Sequence, residues 1–233
     1  MILYITRHGQ PLVKGGIDAT GDPDYPPGDP PLSALGREQA RRFGLRLKNE
    51  GFAGRIYASP YRRTMETADV IAGVLNSVTW PVPALREYTG PNIHTFQGGT
   101  LEQFRALFPT LAPEARLAHP WWTLQEELPD ESGLRPQVLE RVGAFIETLT
   151  AGPRQDALLV GHGASTSAAA RWLHRKIAGD KPFPDKPGWN CTYTAISLQP
   201  EIEFLAFRDI SHLEPEQVTS NRRRADEWAR QVY

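Results

Sequence analysis

The stretch ILYITRHG at residues 2–9 decides the fold class and points to the functional site. Its first four residues form a short apolar run that predicts a buried strand. Arg7 and His8 follow at the carboxyl end of that strand, with Gly9 directly behind them. In an open α/β sheet, the carboxyl ends of the strands border the crevice in which ligands bind. A histidine there, beside a permanent cation, suits attack on phosphorus while the arginine neutralises the phosphate oxygens.

Strand-like and helix-like segments alternate along the rest of the chain. Pro81 and Pro83 lie in the third predicted strand, near residues 79–85, and predict that it is an edge strand or an irregular one. Ser33 is the expected N-cap of the first helix, and Ser59 that of the second, with Pro60 at its first position. The pattern predicts an α/β fold, a three-layer α/β/α sandwich with a mostly parallel central sheet. Further strands are predicted near residues 55–58, 79–85, 157–160, 192–198 and 203–207, and later helices over 138–149 and 164–177.

Two long segments show neither a helical nor a strand period. Residues 10–32 are rich in Gly, Pro and Asp, and a structureless loop of that length is often functional. Residues 91–135 contain several aromatic side chains and predict an inserted, mainly helical cap. These aromatics suit a subdomain core and a substrate pocket equally well. The chain is therefore interpreted as one domain over residues 1–233, with a cap insertion at about 91–135.

The composition narrows the classes of partner. A chain of 233 residues with 40% hydrophobic content is long enough for one sizeable core. Its net charge of -1 gives no field that favours nucleic acid, and its single cysteine excludes an intrachain disulfide. No apolar run approaches the roughly 20 residues that span a bilayer. We expect a soluble, cytoplasmic protein without a nucleic-acid or membrane partner; the sequence carries no signal for an oligomeric state.

Polar groups follow each of four predicted strands. Arg7-His8 follows the first, residues 59–63 the second, Glu87 the third and His162 the fourth. If these strands are parallel, their carboxyl ends meet at one edge of the sheet. Two histidines, at least two arginines and a carboxylate would then converge, which predicts a phosphate site with an acid beside it.

These residues, in this order and at these spacings, resemble the histidine phosphatase superfamily, the phosphoglycerate-mutase-like group. The resemblance runs over nearly the whole chain. Its motifs are Arg7-His8-Gly9, Leu32-Ser33 with Gly36 and Gln39-Ala40, Ser59-Pro60 through Arg63 to Glu66-Thr67-Ala68, Glu87, Gly161-His162-Gly163, and a tail-like segment from Asp209 to Leu213.

The resemblance implies a role for each matching position. His8 corresponds to the nucleophile that becomes a phosphohistidine, and His162 to the second phosphate-binding histidine. Arg7 and Arg63 correspond to the arginines that hold the phosphoryl oxygens. Arg62 adjoins Arg63 and is the alternative candidate for the second phosphate-binding arginine.

Glu87 matches the usual proton donor of the family, with a surface carboxylate in a turn as the alternative interpretation. A carboxyl group supplies a proton near neutral pH only where burial or negative charge keeps it protonated. Gly163 begins a helix, so backbone N–H groups there are expected to face the anion. The positive charge of the site comes from side chains, so we expect no metal and no cofactor. The partners are a small phosphorylated substrate and, as product, inorganic phosphate.

Specificity residues are expected in the two irregular segments. Gln10 and Lys14 from the long loop, and Trp121 and Trp122 from the aromatic segment, are candidate contacts to the rest of the substrate. Solvated or structural roles are the alternative for each of them. The remaining histidines, among them His212, are interpreted as structural or exposed.

Three reactions fit the motifs. The preferred one is a phosphomonoesterase, in which water takes the phosphoryl group from His8. A phosphoglycerate mutase is the second, and a non-catalytic, phosphate-binding regulatory module is the third. Mutases usually carry an acidic residue directly after Arg-His-Gly and further basic residues after the catalytic glutamate. Here Gln10 and the run Tyr88-Thr89-Gly90 stand at those places, which favours hydrolysis.

Overall fold

A computed structural model describes residues 1–14, 17–18, 29–89, 98–121, 127–131, 133–179, 181–220 and 223–224. Helices in these ranges are α1 (Ala34–Asn49), α2 (Arg62–Leu75), α3 (Leu101–Leu107), α4 (Pro136–Ala151) and α5 (Gly163–Ala178), with 3-10 turns at Pro83–Leu85 and Pro215–Gln217. Strands are β1 (Ile2–Arg7), β2 (Val13–Lys14), β3 (Ile17–Asp18), β4 (Arg55–Ala58), β5 (Thr79–Pro81), β6 (Ala157–Gly161), β7 (Tyr193–Ser197), β8 (Glu203–Asp209), β9 (Thr219–Ser220) and β10 (Arg223–Arg224).

A six-stranded sheet has the order β5-β4-β6-β1-β7-β8. The strands from β5 to β1 pair in parallel, whereas β7 and β8 pair antiparallel. Parallel neighbours need a crossover connection, which α2 supplies between β4 and β5. The prediction of a mostly parallel α/β sheet is confirmed, with two antiparallel strands at one edge.

Alternate residues of the central strands face opposite helical layers. Tyr4 of β1 packs into a core with Phe43 of α1 and Met65 of α2. Its neighbours Leu3 and Ile5 pack into a second core with side chains of α4 and α5. Successive strand residues point to opposite faces, so a short run that is apolar throughout must be covered on both sides. This arrangement gives the predicted three-layer sandwich.

Helix α1 begins as expected, but α2 does not. The Ser33 hydroxyl accepts a hydrogen bond from the Gly36 N–H at 3.0 Å and caps α1. Helix α2 begins at Arg62, with Tyr61 at its N-cap, so the prediction of Ser59 as cap and Pro60 at the first helical position is wrong. Ser59 instead continues the strand pairing, because its N–H donates to the Val160 carbonyl at 3.0 Å.

The strand predicted near residues 79–85 is β5, which is short and lies at the sheet edge, as its prolines predict. It ends at Pro81, and the chain then forms the 3-10 turn Pro83–Leu85. In the described part of residues 91–135, α3 is the helix, and an isolated bridge joins Leu111 to Thr79. A cap insertion of the predicted extent stays a prediction.

None of the helices in the described ranges is long and apolar enough to cross a bilayer. The predicted cytoplasmic location and the predicted lack of a nucleic-acid partner stay predictions.

Candidate active site

The carboxyl ends of two neighbouring parallel strands bring two histidines together. His8 follows β1 and His162 follows β6, and these strands are paired in register up to Arg7 and Gly161. The His8 N–H donates to the Gly161 carbonyl at 2.9 Å, which extends the pairing by one residue. The two imidazole rings lie 5.3 Å apart, centre to centre, at 63°. Strand register therefore places two side chains that are distant in sequence around one point.

Hydrogen bonds fix which nitrogen of His8 is available. Its Nδ1 lies 2.7 Å from the Gly9 carbonyl oxygen. A carbonyl oxygen only accepts, so Nδ1 carries the proton and the lone pair of the neutral ring is on Nε2. The backbone around the ring is held by Asn190, whose Nδ2 donates to the His8 carbonyl at 2.9 Å, and by Thr67, whose hydroxyl accepts the Gly9 N–H at 3.0 Å.

Burial and nearby cations keep His8 neutral. The residue is 3% exposed. Burial, followed by the positive charges of Arg63 and Arg7, holds the pKa of His8 well below its ordinary value. A neutral imidazole with a free Nε2 is the form that can act as a nucleophile.

His162 is fixed at both ring nitrogens. Arg63 Nη2 donates to its Nδ1 at 3.1 Å. A guanidinium only donates, so Nδ1 is the acceptor and the proton lies on Nε2, which donates to Ser59 Oγ at 2.9 Å. Burial and the charge of Arg63 hold the pKa of His162 well below its ordinary value. The Tyr61 ring packs edge-on against the imidazole at 4.8 Å.

The two adjacent arginines at the start of α2 point to different partners. Arg63 contacts His162 and lies over the Tyr61 ring at 4.6 Å. Arg62 Nε donates to Glu66 Oε1 at 3.1 Å. Consecutive residues on a helix are about 100° apart around its axis, so Arg63 faces the histidines and Arg62 faces Glu66, one turn along α2.

Asp29 joins the long loop to the two histidines through Arg63. It is 3% exposed, accepts the Arg62 N–H at 2.7 Å and lies 3.6 Å from Arg63 Nη1. Burial raises its pKa to about 7, although Arg63 and the Arg62 N–H act in the opposite direction. This carboxyl group caps α2 from a distant part of the chain and anchors the guanidinium of Arg63.

Arg7 is held from the opposite side of the site. Its Nη1 donates to the Gly188 carbonyl at 2.7 Å and to Ser220 Oγ at 3.3 Å. Burial lowers the pKa of Arg7, and the negative charge of Glu87 acts in the opposite direction. The segments that anchor Arg7 come late in the chain, so β1 alone does not set its direction.

Glu87 lies beyond the 3-10 turn that follows β5. Its Oε1 accepts the backbone N–H groups of Tyr88 at 3.1 Å and Ala164 at 3.3 Å. The backbone behind it is fixed by Arg141, which donates to the carbonyls of Ala84 at 2.6 Å and Glu87 at 3.3 Å. The carboxylate therefore sits against the first turn of α5, beside His162.

A buried ion pair supports this segment. Glu127 is 3% exposed and lies 2.8 Å from Arg141 Nε and 2.9 Å from Arg86 Nη2. It also accepts the Thr89 N–H at 3.1 Å. Although burial acts in the opposite direction, hydrogen bonding to Arg141 and the charges of both arginines lower the pKa of Glu127. One carboxylate thus neutralises cations on both sides of the Glu87 segment.

A family model described as histidine phosphatase superfamily (branch 1) matches residues 3–203. The chain belongs to the histidine phosphatase superfamily. No curated protein matches this chain significantly.

Solved structures share the fold of this member of the histidine phosphatase superfamily at low identity. The Bombix mori ecdysone phosphate phosphatase in complex with tungstate is 17% identical, with a TM-score of 0.61 over 91% of this chain and 95% of its own. Bacillus stearothermophilus YhfR is 22% identical, with a TM-score of 0.58 over 91% and 99%. A mycobacterial glucosyl-3-phosphoglycerate phosphatase complexed with VO3 is 24% identical, with a TM-score of 0.59 over 90% and 99%.

The first turn of α5 contacts Glu87, and the predicted contact of its N–H groups with an anion stays a prediction. The N–H of Ala164 is directed to Glu87. A Cβ added at Gly163 would meet nothing within 4 Å, so open space adjoins that residue. This space lies immediately after His162 and beside the residue that contacts Glu87.

Two of the four predicted substrate contacts, Gln10 and Trp121, are held by other parts of the protein. Gln10 Oε1 accepts the Ser33 hydroxyl at 2.9 Å, so the side chain is bound to the start of α1. Trp121 is 7% exposed, packs edge-on against Tyr61 at 5.3 Å, and donates from Nε1 to the Gly99 carbonyl at 3.0 Å. The side chain of Lys14 and the whole of Trp122 lie outside the described residues.

Several residues at the site were not predicted from the sequence. Ser59 and Thr67 were part of the motifs, but without their roles as partners of His162 and Gly9. Asp29 and Asn190 had no signal in local periodicity, because their partners are far away in the chain. Glu127 carried no signal either, since its role depends on two arginines from separate segments.

Proposed function

We propose that this histidine phosphatase superfamily member is a phosphomonoesterase that hydrolyses a small phosphorylated substrate through a phosphohistidine on His8. One observation carries the proposal. His8 is neutral and buried, with its Nδ1 proton committed to the Gly9 carbonyl at 2.7 Å and its Nε2 lone pair left to attack. His162 and Arg63 stand beside it.

In the first step, the Nε2 lone pair of His8 forms a bond to phosphorus and the ester P–O bond breaks. The electron pair of that bond goes to the leaving oxygen, which takes a proton from the Glu87 carboxyl group. In the second step, water attacks phosphorus and gives a proton to the Glu87 carboxylate, and the N–P bond breaks. Inorganic phosphate leaves and both side chains return to their starting forms. Division into two transfers lowers the barrier of each.

The cations of the site stabilise the phosphoryl group in transfer. Negative charge spreads over its three equatorial oxygens, so fixed positive groups contribute most. Arg63 is anchored by Asp29 and His162, and Arg7 by Gly188 and Ser220. Both guanidinium groups are thus oriented before substrate binds. This preorganisation is what electrostatic catalysis requires.

Two observations favour hydrolysis over phosphoryl return to the substrate. Arg86 and Arg141, which support the Glu87 segment, are both neutralised by Glu127. A short bisphosphorylated intermediate, such as that of phosphoglycerate, would need free cations directly beside Glu87. Among the structures with the same fold, the silkworm and mycobacterial proteins are named as phosphatases.

The test is turnover of 4-nitrophenyl phosphate in the presence of a chelator, by wild type and by His8→Ala. We expect turnover by wild type and none above background by His8→Ala. His119→Ala, at a residue on the exposed surface, is the matched control and should retain activity. Equal turnover by His8→Ala and wild type would remove His8 as the nucleophile. Rapid conversion of 3-phosphoglycerate to 2-phosphoglycerate would favour the mutase reaction instead.

A further inference from the structure

A cavity of about 230 Å³ begins at the residues that border Glu87. Gly163 and Ala164 line it, and Ala164 is the residue whose N–H contacts the Glu87 carboxylate. If Glu87 protonates the leaving oxygen, the alcohol part of the substrate departs next to this cavity. The role of this cavity in binding substrate therefore rests on the proposed phosphomonoesterase activity.

The walls of the cavity are mainly apolar and come from α4, α5 and the loop before α4. Val138 and Leu139 of α4 face Ala164 and Ala168 of α5. The volume holds a chain of roughly eight water-sized groups at about 30 Å³ each. Apolar walls favour hydrocarbon. The Ser167 hydroxyl also lines the cavity and accepts a hydrogen bond from Arg208 Nη2 at 2.7 Å.

Two cations border the cavity, and neither has a carboxylate partner among the described residues. Arg135 lies over the Tyr88 ring at 3.7 Å and donates to the Glu127 backbone carbonyl at 2.6 Å. Arg171 lies over the Phe183 ring at 4.2 Å. Burial and the charge of the neighbouring Arg175 both lower the pKa of Arg171.

The spacing of these features sets the length of a ligand. Arg171 lies two turns along α5 from Gly163, roughly 12 Å at 1.5 Å per residue. We propose that this cavity binds the alcohol part of the substrate, and that the substrate is a phosphomonoester with an unbranched apolar chain and a second anionic group that pairs with Arg171. An arginine at the far end of a mainly apolar cavity, with no acidic partner in the described part of the chain, is complementary to a carboxylate or phosphoryl group.

The test compares matched substrates. Phosphate monoesters of ω-hydroxy acids of increasing chain length are assayed against the methyl esters of the same acids, which have the same chain and no charge. Terminal bisphosphates of the same lengths show whether carboxylate or phosphate is the better anion. We expect kcat/KM for the acid to exceed that for its ester by about tenfold once the chain reaches Arg171, and shorter chains to show no preference.

Three variants locate the effect. Arg171→Gln should reduce the ratio of acid to ester to about one. Lys176→Gln removes the same charge from the same helix at a residue paired with Glu147, and should leave the ratio as in wild type. Ala168→Leu fills the cavity, and should lower kcat/KM for long chains relative to short ones. An active enzyme that shows equal kcat/KM for acids and esters at every length overturns the inference.

Binding without phosphate separates this inference from the proposed function. Calorimetry with a long-chain ω-hydroxy acid needs no turnover and no phosphate site. Binding that is about tenfold weaker for Arg171→Gln, and unchanged for Lys176→Gln, supports the cavity even if no phosphoester is hydrolysed. Equal binding by all three proteins overturns it even if 4-nitrophenyl phosphate is a good substrate.

Discussion

The buried carboxyl group of Asp29 is expected to make stability depend on pH in an unusual direction. Burial raises its pKa from the ordinary 3.8 to about 7. The unfolded chain therefore loses this proton at a lower pH than the folded protein does. Between about pH 4 and pH 7 the folded state binds more protons at this group, so its contribution to the free energy of unfolding falls as pH rises.

The magnitude follows from the size of the shift. Each unit of pKa difference corresponds to 1.36 kcal/mol, so the interval from pH 5 to pH 7 is worth about 2 to 3 kcal/mol. Asp29→Asn keeps the shape and the oxygen that accepts the Arg62 N–H, and it removes the ionisation. We expect the variant to gain stability relative to wild type by about that amount between pH 5 and pH 8.

Urea unfolding followed by circular dichroism, at pH values from 5 to 8, measures this difference directly. Asp185→Asn is the matched control, because Asp185 is exposed and its replacement should leave the pH dependence unchanged. Parallel curves of unfolding free energy against pH for wild type and Asp29→Asn would refute the reasoning. A stability gain of Asp29→Asn over wild type that grows as pH falls would refute it as well.

Three further predictions concern the remaining site and its support. Glu87→Gln should slow the hydrolysis of alkyl phosphates, whose leaving groups need a proton, by a hundredfold or more. The hydrolysis of 4-nitrophenyl phosphate should slow far less. Equal losses in the steady-state rates of both substrates would argue against proton donation. Arg63→Gln should lower kcat/KM by about a hundredfold, and Arg62→Gln only a few-fold because its guanidinium contacts Glu66; similar losses in the two variants would contradict the assignment. Burial lowers the pKa of His212 from 6.5 to about 4, so its contribution to stability is lost as pH falls between those values. His212→Phe should remove up to about 3 kcal/mol of that acid-induced loss, measured by denaturant unfolding at pH 4.5 and pH 7.5, and an unchanged difference between the two pH values would contradict it.

The sequence by itself determined the architecture and the edge of the sheet at which the site lies. Short runs that are apolar throughout predict strands covered on both faces, and β1 and β6 are buried between two helical layers in this way. A polar group directly after such a strand lies at its carboxyl end whatever the rest of the chain does. The sequence therefore predicted that His8 and His162 lie at the same edge of the sheet, whereas their direct proximity depends on the pairing of β1 with β6. These are local features, and local spacing encodes them.

Only the tertiary structure decided the direction of each side chain at the site. Arg62 and Arg63 are adjacent in sequence, and the placement of α2 against Asp29 and His162 determines which of them faces the histidines. Ser59 follows a strand and precedes a helix, so its hydroxyl suited a cap, yet strand pairing places it against the His162 ring. Asn190 reaches the His8 carbonyl from far along the chain. The free energies of such contacts depend on three-dimensional distance, and residues that are distant in sequence have no common periodicity from which that distance could be inferred.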